Sequence, residues 1–253
     1  MRELHEHTTT TAADALGEAE VAVLPTGSVE QHGPALPLGT DLFAAAGVAT
    51  RVDRADAIVL PGVPVGVSDH HRQFHGTLST TEETFADYVA DIVESVAAHG
   101  VRKVVVVNGH GGNTNALRRA ARRLRADDVA FTVPWHWWDN LDDLIDARLD
   151  TSLGHADAVE TSAMLHLTEL VQEDLLADAE AGAADSWGRE VPGGADVGFD
   201  TADFSDSGAV GHPTDGTAEI GAELVAEAVD DLNALVDWLA AQRFEDLRPA
   251  PHR

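Results

Sequence analysis

Residues 21–41 read VAVLPTGSVEQHGPALPLGTD. Val21-Ala22-Val23-Leu24 is a short apolar run, and its length and composition predict a buried strand. Pro25 and Gly27 are expected to end regular structure there. Glu30, His32 and Asp41 follow, spaced by Gly33, Pro34, Pro37 and Gly39, residues that let a loop fold back on itself. Two carboxylates and an imidazole on a loop at a strand end form a set of oxygen and nitrogen metal ligands. The alternative for this stretch alone is two solvated acids and a surface histidine.

A second apolar run, Val104 to Val107, leads into Asn108-Gly109-His110-Gly111-Gly112-Asn113 and then an Ala/Leu/Arg stretch from Ala116 to Arg125. This reads as strand, glycine turn and helix, with a histidine at the turn. In open parallel sheets ligands gather at the carboxyl ends of strands, so the two polar clusters point to one shared site. A phosphate-binding loop is the weaker reading, because neither G-K-S/T nor an in-register GxGxxG is present.

Glu30-Gln-His-Gly33, Asp41, the block at 108–113 and His155-Ala-Asp-Ala-Val-Glu-Thr-Ser162 together resemble the creatininase (creatinine amidohydrolase) family. The blocks fall in the family's order and cover about residues 20 to 225. The resemblance implies a hydrolase of amide C–N bonds that works on a small-molecule amide. It also implies two divalent metal ions per subunit, zinc with manganese or iron as alternatives, acting through a metal-bridging hydroxide. Carried over by position, Glu30, Asp41 and His110 would hold one metal. His32, Asp41 and a second carboxylate would hold the other, with Asp41 as the bridge. His155 would protonate the leaving nitrogen.

Some positions depart from creatininase itself. Gly112 stands where that enzyme has a ligand glutamate, so Glu160 is assigned as the fifth ligand, as in relatives with the plain N-G-H-G-G-N block. Thr151-Ser152 replaces a Trp-Asp pair that contacts substrate, and Asp157-Ala158 replaces Gly-Glu. These differences point away from creatinine. Other branches of the family deformylate a pyrimidine of flavin and deazaflavin synthesis or trim the mycofactocin precursor peptide, and both are alternatives here. A metal-binding module without catalysis is the rival class. The resemblance also implies a homo-oligomer, a hexamer in the family's usual form.

The 253 residues and 44% hydrophobic content suffice for one sizeable core. The expected fold is α/β: a single domain over 1–253 with a mostly parallel sheet and helices on both faces. Residues 1–10 are expected to be loosely ordered and 243–253 to form a tail. A net charge of −28 argues against nucleic-acid and anionic-membrane partners. Lys103 is the sole lysine. So acidic and lysine-poor a surface fits a halophilic protein, whose carboxylates are screened within about 3 Å at 1 M salt. An ordinary acidic enzyme is the alternative. There is no cysteine, and neither an apolar signal core nor a membrane-length run, so a cytoplasmic location is expected.

Further strands are expected at 57–60 and 129–133, and helices at 12–20, 41–52, 81–100, 114–126, 141–149, 156–171 and 218–241. His70, His71 and His75 sit close together, and His71 is expected to line the pocket or a subunit contact rather than bind metal. Trp135, Trp137 and Trp138 form either a wall over the site or an oligomer contact. Residues 177–208 read as an irregular region, a lid or subunit contact. The arginines at 118, 119, 122, 123 and 125 are expected to pair with the acidic surface or with a neighbouring subunit, with anion binding as the alternative.

Overall fold

A computed structural model describes residues 3–149, 153–189, 191–195 and 197–251. Four strands form one parallel sheet: β1 (Val21–Thr26), β2 (Ala57–Val59), β3 (Lys103–Asn108) and β4 (Phe131–His136), in the order β2-β1-β3-β4. β1 and β3 are central and wholly buried. Their alternate side chains serve opposite faces. Val21, Val23, Val105 and Val107 join one apolar cluster, and Ala22, Leu24, Val104 and Val106 join the other. This is why both strands read as unbroken apolar runs.

On the first face lie α2 (Thr40–Ala49), α6 (Ala158–Leu167) and α8 (Ala218–Ala241). On the second lie α1 (Thr9–Glu18), α3 (Glu82–Ala97) and α4 (Thr114–Ala126). Shorter helices are α5 (Asp142–Arg148), α7 (Leu176–Ala181) and α9 (Phe244–Leu247). The result is the expected single α/β domain. On α4, Arg119 reaches Glu83 at 3.4 Å and Arg123 bonds Asp87, as expected, whereas Arg125 donates to the Leu247 and Arg248 carbonyls. No helix among the described residues is long and apolar enough to cross a membrane.

Several boundaries differ from the sequence reading. β1 runs through Pro25 to Thr26. The Val23 and Pro25 carbonyls both accept from the β2 side, from Leu60 and Val63. The nitrogen of Pro25 therefore faces the side on which β2 has already ended, and its missing N–H costs no ladder bond. β4 starts two residues later than expected and includes Pro134 and Trp135, which pair with Val106 and Val107; an edge strand tolerates the proline. The loose N-terminus is instead ordered from Glu3, which bridges Val59, and α1 starts at Thr9 because Thr8 and Thr11 form a reciprocal cap. The irregular region begins with a helical turn, α7, and the tail contains α9.

The strand order reverses between β1 and β3, since the chain moves outward to β2 on one side and to β4 on the other. Such a switch point opens a crevice at the carboxyl ends of the two strands. The loops after β1 and β3 both enter it.

Candidate metal centre

Close backbone packing sets the loops in place. A Cβ at Gly27 would overlap the backbone of Asp41 and Leu42, and one at Gly109 would overlap the Asp41 carbonyl. The turns after β1 and β3 therefore press directly on the start of α2. Asn113 ties them together: its Nδ2 donates to the Gly27 carbonyl at 3.0 Å and to Asn108 Oδ1 at 3.1 Å. Its Oδ1 accepts the Val67 N–H at 2.9 Å.

Glu30, His32, Asp41 and His110 converge in this crevice, each 5% exposed or less. Asp41 faces two ways. Its Oδ2 lies 3.2 Å from His110 Nδ1, which is also 3.2 Å from Glu30 Oε2. Its Oδ1 lies 3.1 Å from His32 Nε2, which is 3.6 Å from Glu160 Oε2. Glu30, Asp41 and His110 could thus hold one metal ion, and His32, Asp41 and Glu160 another. A third possible group is Glu30, His32 and His155. Buried Glu30 Oε1 and Asp41 Oδ2 have no hydrogen-bond partner. Buried polar atoms left this way fit a cation in the centre.

The electrostatics follow from burial and proximity. Burial alone would raise the Glu30 carboxyl, but His110, His71 and His32 hold it well below the usual carboxylate range. Burial would lower His110 and His32, yet Glu30 and Asp41 hold the first well above its ordinary value, and Asp41 and Glu160 do so for the second. Burial likewise opposes the lowering of Glu160, which His32 brings about. Without a cation, protons on His32 and His110 balance the carboxylates. A bound cation would replace those protons.

Gly112 bears on Glu160 as a candidate ligand. A Cβ at 112 would overlap the Val67 carbonyl oxygen and the His110 ring, so this backbone has no room there for a ligand side chain. Glu160 reaches the centre from the first turn of α6. Asp157 caps that helix, its Oδ1 accepting from the N–H groups of Val159 and Glu160 at 2.9 and 3.0 Å. Burial, then the charge of Glu160, pushes Asp157 up to about 7. Ala156 turns the chain into α6 at a left-handed φ of 47°, and its N–H donates to Glu160 Oε2 at 2.5 Å. Gly216 and Gly221 pack against Thr161 and Ser162, which holds α6 on the segment entering α8.

His155 precedes this turn. Its Nδ1 is 3.9 Å from Glu30 Oε1, and its Nε2 is 2.9 Å from the Gln31 carbonyl. Burial, reinforced by His32, lowers its pKa. His71 lies 3.3 Å from Glu30 and is pushed down by burial and by His155. His70 lines the same cavity, whereas His75 lies at a separate surface groove.

The cavity is about 450 Å³. Trp137, Trp138, Trp187, Phe199 and Leu153 wall it beside the ligand groups. Within the tryptophan cluster, Trp135 and Trp137 are buried, and Trp138 packs on the same core. Trp187, from the 177–208 region, was not singled out by the sequence. It is 49% exposed and holds its ring 5.7 Å from His155 and 6.2 Å from His71. Gln31 and Thr201, which contact His71, were also missed, since neither carries an obvious chemical signal. Thr151 and Ser152 lie outside the described residues.

The creatininase (creatinine amidohydrolase) family model matches residues 5–236. The chain belongs to the creatininase family. It is a creatininase-family amidohydrolase, a hydrolase of amide C–N bonds. It is 35% identical over 232 residues to the mycofactocin precursor peptide peptidase of Mycobacterium ulcerans, covering 85% of this chain and 84% of that protein. It is 30% identical over 115 residues to a 2-amino-5-formylamino-6-ribosylaminopyrimidin-4(3H)-one 5'-monophosphate deformylase of Methanococcus maripaludis, covering 45% of this chain and 51% of that protein. A mutant creatininase in its Zn-Zn form superposes with a TM-score of 0.78 at 25% identity, over 96% of this chain and all of the other.

Proposed function

We propose that this creatininase-family protein hydrolyses its amide at a two-metal centre held by Glu30, Asp41 and His110 on one side and His32, Asp41 and Glu160 on the other. The observation that carries this reading is the split presentation of Asp41, one oxygen to each histidine. With no cysteine in the chain, the donors are oxygen and nitrogen only, which suits zinc, manganese or iron(II). The creatininase structures include both a Zn-Zn form and a manganese form, which suits either ion. A metal pair in such a site polarises the carbonyl and lowers the pKa of water.

The chain's own residues supply the rest. His155, neutral when buried, takes up the proton released by the attacking water and hands it to the departing nitrogen. The aromatic wall holds the apolar flanks of the substrate. That wall also bears on substrate class. The described lining residues include neither lysine nor arginine. A phosphate monoester, as in the deformylase relative's substrate name, would find no lysine or arginine on these walls to bind it apart from the metal pair. An uncharged amide fits better, and a short peptide is the form favoured by the peptidase relative. The same reading takes the protein to be a cytoplasmic homo-oligomer, with light scattering as its test.

Elemental analysis after growth with zinc, manganese and iron is expected to find bound metal. The loaded protein should cleave a neutral formamide or peptide amide, and chelation should abolish this. Purified protein with none of the three metals would sink the proposal.

A further inference from the structure

The buried histidines each turn one ring nitrogen toward the carboxylates, and their outer nitrogens differ in partner. His110 Nε2 lies 2.9 Å from the Val67 carbonyl, and His32 Nδ1 lies 3.2 Å from the Glu30 carbonyl. A carbonyl can only accept, so each outer nitrogen carries the proton. The inner nitrogens, His110 Nδ1 and His32 Nε2, are then bare in the neutral ring. That is the form in which a histidine binds metal.

His71 is built the other way round. Its outer Nδ1 faces Gln31 Nε2 at 2.8 Å and Thr201 Oγ1 at 2.9 Å. Two partners of fixed polarity orient the Gln31 amide: Oε1 accepts the Gly33 N–H at 3.0 Å, and Nε2 donates to the Gly208 carbonyl at 3.1 Å. Nε2 also lies 2.9 Å from His155 Nε2, whose own proton is taken by the Gln31 carbonyl, so the second amide hydrogen is left for His71. The amide is seated so closely on Gly208 that a Cβ there would overlap Oε1. Gln31 therefore presents a donor to His71, and Nδ1 must accept. The proton of the neutral ring sits on Nε2, 3.3 Å from Glu30 Oε1. The two atoms stand at ion-pair distance, and neither has a partner in hydrogen-bond geometry among the described residues.

We propose that His71 is a positioning residue for Glu30 and not a metal ligand. It holds Nε2–H beside Glu30 Oε1, while Oε2 faces His110 and accepts from Ser68 Oγ. Gln31 and Thr201 set its tautomer. Gln31 thus serves two histidines: its Nε2 faces His71 Nδ1 at 2.8 Å and His155 Nε2 at 2.9 Å, and its carbonyl also meets His155 Nε2. Thr201 belongs to the segment that also brings Phe199 to the cavity, and its neighbour Asp200 bonds Arg72 at 2.6 Å and also Gln73. The cavity rim is in this way tied to a ligand carboxylate.

The inference rests on the metal-centre reading, and two measurements separate them. Two-bond proton–nitrogen correlation spectra of metal-free protein labelled with nitrogen-15 at histidine should show His71 as the Nε2–H tautomer. A proton on Nδ1 with Nε2 bare, or loss of the Nε2 proton on adding zinc, would overturn the proposal. His71→Phe should keep the full zinc content at saturation but bind zinc at the Glu30 group about 10–100-fold more weakly in chelator competition, the usual cost of losing an outer partner. His71→Asn, which keeps a donor, should recover part of that loss. A zinc ion missing at saturation would make His71 a ligand, and an unchanged affinity would remove its role; either result overturns the proposal. If wild type binds no zinc, the metal-centre reading fails, while the tautomer spectrum still decides the His71–Glu30 contact.

Discussion

The two halves of the candidate centre are built differently. Glu30, His32, Asp41 and His110 stand on loops that leave the two central strands, packed against the first turn of α2 with no space for a Cβ at Gly27 or Gly109. His155 and Glu160 come from a segment that belongs to no strand of the sheet. It is held by the mutual His155–Val210 backbone bonds at 3.0 and 2.8 Å, by the left-handed Ala156 and by α6 packing on α8. The Glu160 side chain is 13% exposed, against 2% or less for Glu30, His32 and Asp41. The first half is a property of the sheet's switch point. The second depends on a segment outside the strands and on how α6 packs on α8.

Asp41 belongs to both ligand groups, so its loss should break the comparison most completely. Asp41→Asn is expected to abolish hydrolysis and remove at least one metal while the circular-dichroism spectrum stays native; full metal content would show that the groups are not joined through it. His155→Ala tests the second half's chemistry apart from its metal. Turnover should fall on the order of 10²–10⁴-fold with metal content unchanged, and a comparable fall in metal would instead place His155 among the ligands. Glu160→Gln sharpens the division itself. It should weaken one ion by at least the roughly 10–100-fold that an outer-partner change costs and spare the other; full metal and full activity would remove Glu160 from the site. The smallest effect per residue is the screening of surface carboxylates. With −28 net charge, the melting temperature should rise from low to molar KCl, and a flat or falling curve would exclude the halophilic reading.

Much of the first half was legible because its signals are local. An apolar run followed by glycine and proline marks a strand end, and Glu30, His32 and His110 follow such ends at short distance. The strand boundaries were less legible. Pro25 and Pro134 read as breakers, yet a proline is tolerated wherever its nitrogen faces no ladder partner, and neighbour order is not written in a strand's own residues. The N-terminus shows the same effect on a smaller scale: a threonine run that reads as disordered contains a capping pair that starts a helix.

By itself, the sequence determined the α/β class, the two core strands, the cysteine-free donor set and, through four ordered blocks, the family. Each of these depends on residue type and short spacing, which a single chain displays directly. The tertiary structure alone decided that Asp41 divides its oxygens between two histidines, and that a side chain at 112 would collide with His110. It also brought Trp187 over the cavity and set Gln31 and Thr201 behind His71. These last features are hydrogen-bond polarities and contacts between residues 40 to 130 positions apart. A histidine carries no mark in sequence of whether its outer nitrogen will meet a carbonyl or an amide; only the folded neighbourhood supplies the partner, and the partner decides whether the inner nitrogen is free to bind metal.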